Sequence, residues 1–198
     1  MAGYLGRVIQ LIKPFASLGE RVLNNGTQLI GSATHIAPEA WLHIVYPPLT
    51  LSDVLHLEST VGKTIPPVFC NFLQNCNGLY LFSGRLSIDG LRKSFSRSGD
   101  DAWQPFSIFT PNIEERPKHS KPSFFFIGGY GSDGSLLYID DSDLRVYRCT
   151  SKSAKPLSSW PSFEVMLESE ALRLRELFDT HGRQIDPNLP TIPPLMRI

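Results

Sequence analysis

Near the start of the chain apolar residues return every three or four positions, so Leu5, Val8, Ile9 and Ile12 fall on one side of a helix that Pro14 closes. From there to Tyr46 the pattern is mixed, with Asn25-Gly26 marking a turn, and residues 1–46 read as a partly helical N-terminal extension. The pattern sharpens at Pro47. Thr50 or Ser52 can cap a helix running to about Val61, with Val54, Leu57 and Val61 on its apolar face and Gly62 as its stop. Pro66 or Pro67 opens a second helix, where the missing N–H costs nothing. Its buried stripe is Val68, Phe69, Phe72, Leu73 and Cys76, and Asn77-Gly78 ends it with the residues that best tolerate a left-handed backbone.

The spacing then changes to that of strands. Leu79–Phe82 and Arg85–Ile88 flank Ser83-Gly84 as a hairpin, and Phe106–Phe109 is the one strand-like run within the looser stretch 92–122. Phe124–Ile127, Ser135–Ile139 and Leu144–Cys149 are joined by connections too short for crossovers, which predicts an antiparallel meander. Trp160, Pro161 and Ser162 introduce a helix to about Asp179, with Phe163, Met166, Leu167, Leu174, Leu177 and Phe178 inward and Gly182 as terminator. Residues 183–198 carry Pro187, Pro190, Pro193 and Pro194 and read as a disordered or surface-docked strap. The expected architecture is a single α+β domain at 47–182: a twisted, mostly antiparallel sheet backed by helices. Its one continuous core should include Phe69, Phe72, Leu73, Phe125, Leu137, Trp160, Phe163 and Leu167.

Composition narrows the class. Lys plus Arg and Asp plus Glu number 19 each, so no whole-molecule charge draws the chain to nucleic acid or an anionic membrane. Cys70, Cys76 and Cys149 are odd in number and lack metal-type spacing, which points to free thiols in a reducing compartment. The opening segment lacks a basic run, places Arg7 in its middle and has no A-x-A site, and no run approaches the roughly 18 apolar residues of a bilayer span. A cytoplasmic protein is expected.

Candidate chemistry is sparse. Gly129-Tyr130-Gly131-Ser132-Asp133-Gly134 fits G-x-G-x-x-G, but the strand-like SLLYID follows where that fingerprint needs a helix to hold the pyrophosphate, so a hairpin turn is expected. His35, His43, His56, His119 and His181 are scattered singly. No H-E-x-x-H, nucleophile elbow or calcium loop is present, and no catalytic residue, metal ligand or cofactor is assigned. Asp133, Asp140, Asp141 and Asp143 lie in a stretch free of Lys and Arg between Tyr130 and Leu144. Aspartates favour turns through their own backbone, but together these predict an acidic rim on the meander, with Tyr130 as anchor for a basic protein partner.

The succession "PPLTLSDVLHLESTVGKTIPPVFCNFLQNCNGLYLF", "FFFIGGYGSDGSLLYIDD" and "WPSFEVMLESEALRLRELFD" resembles the SUKH superfamily, which includes the Smi/Knr cell-wall-assembly regulators and many bacterial relatives. The family's helix with a Glu near its end, gap, Pro, helix to Asn-Gly and strand correspond to Leu57-Glu58, Gly62, Ile65-Pro66, Phe72-Leu73 and Asn77-Gly78. The aromatic strand, glycine turn and strand match Phe124 to Ile139, and the Trp-x-x-Phe helix start matches Trp160 to Phe163. The resemblance covers roughly residues 47–182; the first 45 have no counterpart and 92–122 is longer than a minimal member carries. It implies a non-enzymatic immunity protein that binds and blocks a cognate secreted toxin, often a nuclease. The alternatives are a regulatory scaffold of the Smi/Knr type and, third, a small nucleotide-binding enzyme using loop 128–134. The partner implied is a protein, with no direct nucleic-acid or membrane contact.

Overall fold

The computed structural model describes residues 3–195; the outermost residues of the expected N-terminal extension and C-terminal strap lie outside it. Four helices, α1 (Gly3–Ile12), α2 (Leu51–Val61), α3 (Pro67–Leu73) and α4 (Phe163–Glu176), accompany nine strands. These are β1 (Glu20–Val22), β2 (Gln28–Ser32), β3 (Trp41–Val45), β4 (Leu79–Leu81), β5 (Leu86–Ile88), β6 (Phe124–Tyr130), β7 (Ser135–Asp140), β8 (Arg145–Thr150) and β9 (Ser153–Trp160). The strands form one sheet in chain order, and every neighbouring pair is antiparallel. The α+β architecture with an antiparallel meander is therefore as the sequence indicates.

Local chemistry sets the helix ends. The Thr50 hydroxyl accepts from Asp53 N–H while the Asp53 carboxylate accepts from Thr50 N–H, a reciprocal cap that fixes the start of α2. Gly62 stops it with φ of 72°. The Glu58 carboxylate then accepts from Ile65 N–H at 2.9 Å, holding the chain reversal before Pro66 and α3. Ser162 caps α4 at Val165 N–H.

All four helices and one face of the sheet share a single core. It contains each of Phe69, Phe72, Leu73, Phe125, Leu137, Trp160, Phe163 and Leu167, with Phe163 edge-on to both Phe69 and Phe72. Among the described residues no α-helix packs on the opposite sheet face. It carries two smaller clusters: Leu23, Leu29, Ile44 and Tyr46 towards β1, and Phe124, Phe126, Tyr138, Cys149 and Ala154 towards β9.

Several elements differ from expectation. Residues 3–46 supply α1, which packs on α4, and three strands of the common sheet. Leu29 and Ile30 on β2, and Ile44 and Val45 on β3, serve opposite faces that are both apolar, so no period-two signal betrays these two strands. α1 ends at Ile12, ahead of Pro14 as the sequence indicates, and a 3-10 turn, Lys13–Leu18, follows it. β9 escapes notice because Lys155 and Pro156 interrupt it; as the last strand of the sheet it tolerates both. Asn77 is not a helix cap. α3 ends at Leu73, and the Asn77 amide instead clamps Leu91, accepting from its N–H at 2.7 Å and donating to its carbonyl at 2.8 Å.

The run Phe106–Phe109 is not a strand. It leads into one π-helical turn, Thr110–Glu114, where Asn112 bonds both the N–H and the carbonyl of Phe126. β5 stops at Ile88, so this part of β6, paired with β7 along one side, has no strand along the other. Side chains complete the edge: Asn112 at Phe126, and Arg116 and Lys63 at the carbonyl of Phe124. Buried backbone groups thereby find partners without another strand.

Candidate functional site

The glycine-rich run joins β6 to β7 as a hairpin, and a strand, not a helix, follows it. Without a helix N-terminus the turn has no dipole or row of free N–H groups for a pyrophosphate. The glycines serve strand packing instead. A β-carbon on Gly129 would stand 2.3 Å from the Ser135 carbonyl oxygen, and one on Gly131 2.5 Å from that of Gly84.

The residues expected to form one acidic rim are split. Asp133 lies in the β6–β7 turn, whereas Asp140, Asp141 and Asp143 lie in the β7–β8 turn. Successive turns of an antiparallel meander sit at opposite ends of the shared strand, here about 17 Å apart for a strand of this length. Tyr130 is no surface anchor either. It pairs with Ser135, faces the helices, is 2% exposed and donates its hydroxyl to Glu170. Burial raises the Asp133 carboxyl, but hydrogen bonds from Ser135 and Arg148 outweigh it and hold the group below its ordinary range. Asp140 is also buried; its burial penalty is outweighed by hydrogen bonds from Ser142 and Ser123 and by the nearby Lys121. Asp143 accepts from the Tyr147 hydroxyl, and of the five Asp133, Asp141 and Asp143 remain exposed, Asp133 with its carboxylate held by Arg148.

A different feature occupies the helix-free sheet face. Between the two apolar clusters lies a hollow of about 290 Å³. Gly128, Gly129, Gly131 and Gly134 line it where the neighbouring rows carry side chains; Phe106 and the π-helical turn stand beside it. Ser87 pairs with Gly129, and Leu136 pairs with it from the other side, so the missing side chain leaves the depression. Asp89 lines the same hollow, one strand repeat beyond Ser87. It is 6% exposed, and among the described residues its carboxylate has neither a hydrogen-bond partner nor an ion pair. Desolvation pushes it up to about 7. The sequence does hold a signal for it: in Leu86-Ser87-Ile88-Asp89 apolar and polar residues alternate, and the polar pair shares one face.

The buried His43, Cys76 and Cys149 lie in apolar surroundings. His43 is buried against Phe15 and Phe82 and is pushed down to about 3 by desolvation and then by Arg175, which keeps the ring neutral. Cys76 and Cys149 are buried thiols raised to about 12 by desolvation, unsuited to nucleophilic work. Among the described residues no three His, Cys, Asp or Glu side chains gather as a metal site, and no helix is long and apolar enough to cross a membrane.

Comparison with family models decides the relationship: the model for the SMI1 / KNR4 family (SUKH-1) matches residues 48–169. The chain belongs to that family. No curated protein matches the sequence. The SUKH match begins just before α2 and ends within α4, so it takes in α2, α3, β4–β9 and the hollow, while α1 and β1–β3 lie before it. SUKH proteins are generally non-catalytic immunity and regulatory proteins, and the family includes immunity proteins to polymorphic toxins.

Proposed function

We propose that this chain is a non-enzymatic binding protein that neutralises a cognate secreted toxin by covering its active site, with the helix-free sheet face as the contact surface. The observation that carries this reading is the form of that face. Helices cover the other side of the sheet, whereas this side presents a hollow walled by Phe106, 55% exposed, and bearing the carboxyls of Asp89 and Glu115. An exposed aromatic beside acidic groups suits a basic protein surface. A nuclease cleft is one such surface, since it must be basic to hold phosphate. The exposed Asp141 and Asp143, at the far end of β7, would add long-range attraction that weakens as salt rises. Family membership also accommodates a regulatory scaffold, which would use the same face towards a cellular partner.

Co-expression separates the two. Cells producing the toxin domain encoded beside this chain should stop growing, and cells producing both should grow, with a one-to-one complex recovered by size exclusion. Growth arrest in the presence of equal amounts of soluble chain would rule out the immunity reading.

A further inference from the structure

We infer that the hollow between β5, β6 and the π-helical turn is a receptor for the cationic tip of an arginine or lysine side chain presented by a partner protein, with Asp89 as its counter-charge. Asp89 is buried yet uncommitted. No hydroxyl lining the space donates to it: Ser87 Oγ donates to the Gly129 carbonyl and Thr110 Oγ1 to Glu114, while Ser107 Oγ accepts from Phe109 N–H. Nothing cationic lines the space. The segments that wall it bring Asp89 and Glu115, the Tyr130 hydroxyl is given to Glu170 on the other side of the sheet, and no lysine, arginine or histidine is among the lining residues.

A buried carboxylate without partners is costly to maintain, and an entering donor relieves that cost. Size permits the donor: at about 290 Å³, the lower end for ligand pockets, the hollow has room for the end of one long side chain and is too small for a dinucleotide. Phe106 offers an apolar and π surface to the methylene stem or the guanidinium plane. The glycines let that stem lie close to the sheet backbone, and each is held as glycine by a carbonyl less than 3 Å from where a β-carbon would be at Gly128, Gly129 and Gly131. The elevated Asp89 agrees with an empty acceptor that ionises fully when a cation arrives.

The inference deepens the binding-protein reading but is tested on the isolated protein, so it can fail or succeed independently of any toxin. The probe is N-acetyl-arginine amide, titrated at pH 8 while amide resonances are followed by NMR. Saturable shifts are expected at Gly129, Gly131 and Leu136. N-acetyl-citrulline amide, the neutral isostere, should produce none, and Asp89→Asn should weaken the arginine probe by about tenfold or more, the range for losing a charged partner. Absence of saturable shifts, equal response to citrulline, or an undiminished response in the folded Asp89→Asn protein would each overturn the inference. The citrulline arm uses the unaltered protein, so the answer does not depend on the variant folding.

Discussion

Tyr130 on β6 donates its hydroxyl to Glu170 on α4 at 2.9 Å, and both residues are buried. The same carboxylate accepts from Arg173, whose guanidinium also reaches the Thr191 carbonyl. Arg148 completes the set, bonding Ser135, Asp133 and the Pro193 carbonyl. One polar network thus fastens the glycine hairpin, the last helix and the proline-rich strap together. The strap is docked where it passes this network, with Thr191 buried.

Removing the Tyr130 hydroxyl leaves the ring in place and deprives a buried carboxylate of one donor. Tyr130→Phe should lower unfolding stability by about 1.5–3 kcal/mol, the range for a hydrogen bond to a charged group. Urea denaturation of the pair measures it; a change within about 0.5 kcal/mol, as for an ordinary surface substitution, would mean that Arg173 alone satisfies Glu170.

Phe72 is fully buried, stacked on Phe69 and edge-on to Phe163. Phe72→Ala should cost about 3–5 kcal/mol because the surrounding rings cannot collapse into the space. A loss of less than about 1 kcal/mol would contradict the rigid packing of α3 against α4.

Asp89 sets a pH signature. An unfolded chain releases this proton near pH 4, but the fold holds it until about 7. The stabilisation from the retained proton is therefore fully present below about pH 4 and is lost as pH rises through about 7. Relative to wild type, Asp89→Asn should gain stability progressively across that window and level off above it. Parallel stability curves from pH 4 to 8 would show that Asp89 ionises like an exposed carboxyl.

The core and the central elements were legible in the sequence because their signals are local: the Thr50 cap, Gly62, Pro66 and the stripe of Phe69, Phe72 and Leu73. β2 and β3 were not, since residues apolar towards both faces give no alternation, nor was β1, three exposed residues with no apolar pattern, nor β9, whose Lys155 and Pro156 suit only an edge. The five rim residues do not form one patch, for a topological reason. Closeness in sequence joined Asp133 to Asp140, Asp141 and Asp143, whereas β7 holds their turns apart; Asp89 stands alone in sequence, and its hollow arises only from the glycines that β6 places opposite. Asn112 likewise has no local signature, because its role depends on β5 stopping short of Phe126.

The proposed contact face is tested most directly by hydrogen–deuterium exchange on the complex with the toxin domain proposed as partner. Slowed exchange is predicted at residues 84–90, 105–115 and 128–136, which surround the hollow, with the helix side of the sheet unchanged. Protection confined to α1 and α4, with those three segments exchanging as in the free protein, would contradict the account.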